Sequence, residues 1–422
     1  MLLLYNLGVR SYFFLIFIAS FFNKKAKLWI NGRKNTGYQQ FSKGAWFHFA
    51  SLGEYEQGLP VLIAYREKYP HTKIIITFFS PSGFEIRKNT PYADAVYYLP
   101  LDTKSNARKF IDAIDPAIAV FTKYEYWYHF FSELHEREIP LYLISGIFRS
   151  NQVFFKWYGG LHRKMLNCMS RFFVQDENSK HLLQSIGISY VSVSGDTRFD
   201  RVWANAQNPK SFPVIEEFAR GYKVFIAGST WPEDEQLLAK LAADHPDWKF
   251  VFAPHEIKEE KIGRLIELLP SNSTTRYSQY IQLEVGSQKS EVESHHSPLS
   301  THNSQQTLII DNIGMLSSLY QYGQIAYIGG GFGVGIHNTL EAAAFGLPVV
   351  FGPNYAKFKE AKDLIALQVG FCISCESELK KTFDFLTEDE SRYQSISKKI
   401  REYVQGHTGA TEMIMGYLNS SI

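Results

Sequence analysis

The stretch from Tyr322 to Glu360 leaves this chain little freedom of fold. It runs QIAYIGGG, FGVGIHN, TLEAAAFGLPVV and FGPNYAKFKEA. The apolar run Ile325 to Ile328 reads as a buried strand, and Gly329, Gly330 and Gly331 stop it abruptly. Glycines in that position let the backbone come closer to a ligand than a Cβ would permit. Asn338 reads as a helix N-cap, with Glu341 at the capping-box spacing, so a helix is expected over Asn338 to Phe345. A second strand, Leu347 to Phe351, ends at Gly352 and Pro353. Strand, glycine loop, helix and strand make a βαβ unit whose helix end suits an anion. The same residues also fit a plain tight turn and a self-capping helix.

The loop lacks the dinucleotide fingerprint, because Val334 stands where the third glycine belongs. No P-loop motif occurs anywhere. At 422 residues the chain suits two domains, and 45% hydrophobic residues supply cores for both. A net charge of +2 argues against general nucleic-acid binding. Three cysteines make no disulfide framework, so a reducing compartment is expected; Cys372 and Cys375 form a lone C-x-x-C, which fits a buried strand better than a zinc or redox pair.

The amino terminus stands apart. Tyr12 to Phe22 is almost wholly apolar and Lys24, Lys25 and Lys27 follow it, while bulky Phe21 and Phe22 offer no signal-peptide cleavage site. Residues 1–27 read as an uncleaved membrane anchor, spanning or lying in the interface, with its basic cluster on the cytoplasmic side.

Two alternating strand–helix series follow. In the first, strands are expected at Trp46–Ala50, Ile74–Phe79, Ala95–Leu99, Ala117–Phe121, Leu141–Ser145, Arg171–Val174 and Tyr190–Val193. Helices are expected from Ser51 to about Tyr69, over Asn106–Ile114 and Tyr126–Arg137, and as one long helix over Phe154–Met169. A polar join at Asn205–Pro213 leads to strands Lys223–Ala227, Lys249–Ala253 and Leu308–Ile310, with a helix over Pro232–Asp244. The segment 271–306, rich in Ser, Thr, Gln and His, reads as a mobile surface loop, and one helical stretch over about Ser391–Leu418 closes the chain. The expected domains are 28–207 and 208–422, the last helix packing back on the first. Such strands imply parallel sheets, with ligands bound outside their carboxyl ends.

Several separated motifs line up in order: the segment Trp46 to Glu54 (WFHFASLGE), Ser80 to Gly83, Tyr98 to Asp102 and Gly195 to Asp200. In the second half they are Ala227 to Thr230, Ala253 to Glu256, Asp311 to Gly314, and Gly329 through Glu341. Together they resemble 3-deoxy-D-manno-octulosonate (Kdo) transferases of lipopolysaccharide synthesis, in a Bacteroidetes-like form. The resemblance implies a GT-B fold, two Rossmann-like α/β domains with parallel sheets facing a central cleft, plus the N-terminal anchor. It implies transfer of Kdo from CMP-Kdo to a lipid A precursor (lipid IVA) with inversion, at the cytoplasmic face of the inner membrane. No cofactor is implied, CMP-Kdo being the donor substrate. The catalytic base falls on Glu54. The cytidylate contacts fall on Pro254 and His255, on Ile313, Gly314 and Met315, and on Asn338, Thr339, Leu340 and Glu341. The family commonly has Pro-Arg-His where this chain has Pro254 and His255, and often an acidic residue where it has Met315.

The residues themselves fit that chemistry. Glu54 follows a strand and a glycine at a helix start, where it either takes a hydroxyl proton or merely favours the helix terminus. Ser229 and Thr230 precede Pro232, an N1 proline, and either cap that helix or hold a phosphate there. Gly330 and Gly331 bring backbone close to the donor, and Glu341 can accept hydrogen bonds from both ribose hydroxyls. No D-x-D occurs, so no metal is expected, and His255 and His337 read as hydrogen-bonding groups. The competing readings are another GT-B enzyme, such as a lipid-disaccharide synthase or sugar-nucleotide epimerase, and a non-catalytic membrane-tethered sugar-nucleotide binding protein.

Overall fold

A computed structural model describes residues 1–34, 37–123, 125–270, 273–282 and 305–418. The chain divides into two compact units, Met1–Arg201 with His407–Ile422, and Val202–Gly406. The division falls at Arg201/Val202, where 207/208 was expected, inside the helix Thr197–Gln207, which takes in the first residues of the stretch read as a polar join.

Unit 1 is built on one parallel sheet. Its strands are β1 (Gly44–Phe49), β2 (Ile74–Phe78), β3 (Ala95–Tyr98), β4 (Pro116–Thr122), β5 (Leu141–Gly146), β6 (Arg171–Val174) and β7 (Val191–Val193), ordered β3-β2-β1-β4-β5-β6-β7. All six residues of β1 are buried, as a strand covered on both faces requires. Alternate side chains go to opposite cores. Trp46 packs against Phe110, Phe121 and Phe130 on one face, while Ala45, Phe47 and Phe49 join Ile414, Met415 and Leu418 of the last helix on the other.

Unit 2 repeats the plan with β8 (Lys223–Thr230), β9 (Trp248–Pro254), β10 (Thr274–Arg276), β11 (Thr307–Ile309), β12 (Ile325–Ile328), β13 (Val349–Phe351) and β14 (Gly370–Cys372), ordered β10-β11-β9-β8-β12-β13-β14. In each sheet the direction of strand addition reverses once, between β1 and β4 and between β8 and β12. Loops at the carboxyl ends diverge there, which is where doubly wound sheets bind ligands.

Four expectations need correction. The polar segment 271–306 is not all loop: Thr274–Arg276 pairs in parallel with β11, its β-branched threonines suiting an edge strand. Residues 271–272 and 283–304 of it lie outside the described residues. The long helix expected over Phe154–Met169 is a short turn, Val153–Phe155, and a helix, Gly160–Leu166. Between them a Cβ on Gly159 would stand 2.0 Å from the Val153 carbonyl, and Arg163 Nη1 ties the Phe154 and Lys156 carbonyls instead. The closing stretch is two helices, Glu390–Gly406 and Ala410–Leu418, parted at Gly409 with φ +105°. Asp200 takes up the freed donors, accepting from Gly409 N, Thr411 N and Thr411 Oγ1. The helix expected over Asn338–Phe345 is the five-residue Leu340–Ala344 with Thr339 as N-cap, too short for a substantial dipole.

Candidate functional site

The switch point of unit 2 is closed by backbone contacts that only glycine allows. A Cβ on Gly329 would meet the Ser229 carbonyl at 2.2 Å, and one on Gly331 would meet Gly352 Cα at 2.5 Å. Gly330 has φ +91°. Ser229, a non-glycine residue, has φ +54° at the end of β8, a strained position of the kind that clusters at ligand sites.

Asp234 holds this loop. Its Oδ2 accepts from Gly330 N (2.8 Å) and Trp231 N (2.9 Å), and its Oδ1 from Tyr327 Oη (2.7 Å). Burial pushes the Asp234 carboxyl up from its ordinary range, while the three donors pull it back. The sequence reading passed over it, although an acidic residue at the third position of a helix begun by Pro232 is a capping signal. The cap is therefore Trp231 with Asp234, and neither Ser229 nor Thr230 fills that role. Thr230 is buried, and its hydroxyl donates to Glu235 Oε1 at 2.9 Å.

Three rings stand beside the loop. Trp231 stacks on His255 (centroids 4.9 Å) and His255 on His337 (4.4 Å). Trp231 Nε1 donates to His337 Nε2 at 3.2 Å, so that nitrogen is unprotonated. Burial, and then the neighbouring His255, depress the His337 pKa. Pro254, His255, Thr230 and Trp231 line a cavity of about 40 Å³ together with Lys261 and Arg264. Lys261 Nζ lies 3.0 Å from Glu256 Oε2, and Arg264 pairs with Glu260. A cavity of about 540 Å³ in this unit, lined by Lys223, Trp248, Ile325 and Leu347, opens at the amino ends of the strands, away from these loops.

Of the remaining candidates of unit 2, Glu341 lies close enough to Tyr320 to act on its hydroxyl. A Cβ on Gly228 would meet Tyr320 Oη at 2.2 Å, so the ring closes the end of β8. The Tyr320 hydroxyl is raised well above its usual range by burial, and the Glu341 carboxylate adds to this. Asn338 orients Glu341: Nδ2 donates to Glu341 Oε1 (3.1 Å), and Oδ1 accepts from Leu340 N (3.2 Å). Thr339 and Leu340 are wholly buried. Ile313 is 91% exposed beside Gly314 (φ +93°), whereas Met315 is buried.

In unit 1, Glu54 stands in the first turn of the helix Leu52–Lys68, beyond the carboxyl end of β1, and accepts from the Ser51 hydroxyl. His48, buried in β1, contacts Thr77 Oγ1 (2.8 Å) and Glu125 Oε2 (3.2 Å). Asp196 accepts from Gln57 Nε2 (2.9 Å) and Arg198 Nε (2.9 Å); burial opposes its ionisation, but Arg198 and Gln57 hold it below the usual range. Among the described residues no group of three or more His, Cys, Asp or Glu is placed to hold a metal ion. Cys372 ends β14 half-buried, while Cys375 is exposed before the helix Glu376–Thr387, outside the strand expected for it.

Residues 23–201 match the family model described as 3-Deoxy-D-manno-octulosonic-acid transferase (kdotransferase). The 3-deoxy-D-manno-octulosonic acid transferase of Chlamydophila psittaci is 25% identical over 367 residues, covering 84% of this chain and 80% of the relative. That of Aquifex aeolicus is 24% identical over 383 residues, covering 86% and 95%. The chain is a glycosyltransferase related to the Kdo transferases. Similarity to solved structures places this chain in the GT-B fold. The UDP-GlcNAc 2-epimerase of Neisseria meningitidis has a TM-score of 0.61 at 16% identity, covering 89% of this chain and all of that one. MurG of Acinetobacter baumannii has 0.53 at 11%, covering 90% and 99%.

Proposed function

We propose that this chain transfers Kdo from CMP-Kdo to a lipid A precursor such as lipid IVA, inverting the anomeric centre, at the cytoplasmic face of the inner membrane. The match of residues 23–201 to the Kdo-transferase model carries this reading, since it includes Glu54 and its strand–loop–helix setting. An acceptor hydroxyl attacks the anomeric carbon of Kdo, the bond to the cytidylate phosphate breaks, and the hydroxyl proton passes to Glu54. Unit 2 holds the donor: Glu341 takes the ribose hydroxyls, and His255 with Ile313, Gly314 and Met315 takes the rest of the nucleotide. Asn338, Thr339 and Leu340 support that grip. Backbone at Ser229, Thr230, Gly330 and Gly331 lies beside the phosphate, with Lys261 and Arg264 supplying positive potential. No metal or cofactor is invoked. The helix Leu2–Ala19 is long and apolar enough to cross a membrane, with a mean hydropathy of 1.7, which supports attachment there.

The test is product mass after incubation with CMP-Kdo and tetraacylated lipid A precursor. Glu54→Gln keeps shape and reach and should lower turnover about 10²–10⁴-fold, with CMP affinity nearly unchanged. Glu56→Gln is the comparison, read beside a melting curve because Glu56 pairs with Arg87 and Arg201. Full activity in Glu54→Gln would remove the base assignment. Bound UDP in place of CMP would favour an epimerase or disaccharide synthase, and CMP-Kdo binding without turnover a non-catalytic tether.

A further inference from the structure

The helix Leu2–Ala19 is fastened to unit 1 along much of its length. The Tyr5 hydroxyl donates to the buried carboxylate of Asp102 and accepts from Tyr128 N at 3.3 Å. Asn6 Oδ1 meets His129 Nε2 at 2.6 Å. Two turns on, Tyr12 stacks over Phe79 (6.1 Å) and meets Trp29 edge-on (6.0 Å), and Phe13 tilts against Trp29 (6.2 Å). Asp102 also accepts from His129 N and Phe130 N, so the clamp is anchored inside the globular unit.

Those contacts conflict with a spanning helix. Crossing the hydrocarbon takes about 20 residues and about 30 Å free of polar protein surface. Past the Tyr12 clamp the helix runs only from Phe13 to Ala19, which at 1.5 Å per residue is about 10 Å. Yet none of the helix's residues is buried, and Leu3, Leu7, Phe14 and Ile18 form an open apolar stripe at intervals of four and seven. Charge points the same way. From Met1 to Gly53 the chain holds no Asp or Glu but has Arg10, Lys24, Lys25, Lys27, Arg33, Lys34 and Lys43. Lys24, Lys25 and Lys27 are exposed in the turn and helix that follow the stripe.

We propose that the helix Leu2–Ala19 lies in the plane of an anionic membrane surface, clamped to unit 1 by Tyr5, Asn6 and Tyr12, with its Leu/Phe stripe in the lipid and the lysines on the headgroups. This rests on the membrane attachment proposed above and fixes its geometry. Such a helix sits roughly 5–10 Å into the headgroup–acyl boundary along its whole length.

The experiment uses the full chain carrying Leu3→Cys, Leu7→Cys or Phe14→Cys, with Cys168, Cys372 and Cys375 changed to Ser. Each variant carries an environment-sensitive dye and is bound to phosphatidylethanolamine–phosphatidylglycerol vesicles with lipids brominated at different depths. The expected result is one shallow depth for all three dyes. A spanning helix would separate residues 3 and 14 by about 16 Å along the bilayer normal, and that gradient would overturn the in-plane geometry alone. Replacing Lys24, Lys25 and Lys27 by Gln should weaken binding to the anionic vesicles about 10- to 100-fold and leave weak binding to neutral phosphatidylcholine vesicles unchanged. Equal loss on both vesicle types would overturn the headgroup role. Failure to float with any vesicle would overturn the membrane reading itself.

Discussion

Asp234 is the side chain on which the glycine loop depends, and two substitutions separate its geometry from its charge. Asp234→Ala strands three donors at once: Gly330 N, Trp231 N and Tyr327 Oη, which lie at 2.7–2.9 Å from the carboxylate. Each unsatisfied buried donor costs about 1–3 kcal/mol, and the loop can relax enough to wet some of them, so a loss of about 3–5 kcal/mol is expected. Asp234→Asn should cost only about 1 kcal/mol. Its amide oxygen can take the place of Oδ2 and accept both backbone donors. Its NH₂ then faces Tyr327, whose hydroxyl can turn to accept. Asn also spares the burial of a charge, which already pushes the Asp234 carboxyl upward. The assay is hydrogen exchange at Gly330 and its neighbours together with chemical denaturation of unit 2. Tyr327→Phe, which removes one bond, is the calibration. Equal losses for Ala and Asn would mean that charge and not hydrogen-bond geometry holds the loop. A loss below about 1 kcal/mol for Ala, with unchanged exchange, would refute the reasoning altogether.

Glu341→Ala should weaken CMP binding by about 1–3 kcal/mol in calorimetry, and a lowered melting point with unchanged affinity would leave it only a helix-turn role. The pKa of His337 is lowered in the folded chain, so its contribution to stability is present above the ordinary histidine value of about 6.5 and is lost as pH falls below it. Unit 2 should therefore melt earlier on acidification, with the steeper slope abolished in His337→Gln. Asp200→Ala removes the acceptor of three donors at the start of the last helix, two of them on a partly exposed turn, and should cost about 1–2 kcal/mol by denaturant titration. Gly329→Ala places a Cβ 2.2 Å from the Ser229 carbonyl and should lower both stability and nucleotide affinity, measured side by side.

The strand–helix alternation was legible because strands buried on both faces must be apolar throughout: Ile74–Phe78 and Ile325–Ile328 stand within one residue of their expected bounds. Tertiary constraint decided what was misread. Thr274–Arg276 has no apolar signature, and becomes a strand only because β11 offers it a backbone ladder. The break before Gly160 depends on how closely Gly159 approaches Val153, and the break at Gly409 on Asp200, two hundred residues away. In the site, residue types and loop positions could be read, since Gly329 to Gly331 and Glu54 follow buried strands. Asp234, Lys261 and the ring stack could not, because their meaning lies in which neighbours they meet. Thr230 shows the converse: read in sequence as a helix cap or a phosphate holder, it gives its hydroxyl proton to Glu235.

Unit 1 is written in two instalments, with the 205 residues from Val202 to Gly406 between them. The helix Ala410–Leu418 supplies Ile414, Met415 and Leu418 to the core that Phe47, Phe49 and Val61 begin. On a ribosome adding about 5–20 residues per second, that core waits roughly 10–40 s for its last side chains. The domain that emerges first is thus the one that finishes last. Meanwhile the inserted domain between them can complete its own sheet. A nascent chain of this design carries an unsealed apolar face through most of its synthesis, so a stop codon a few residues early should harm the amino-terminal domain and spare the carboxyl-terminal one.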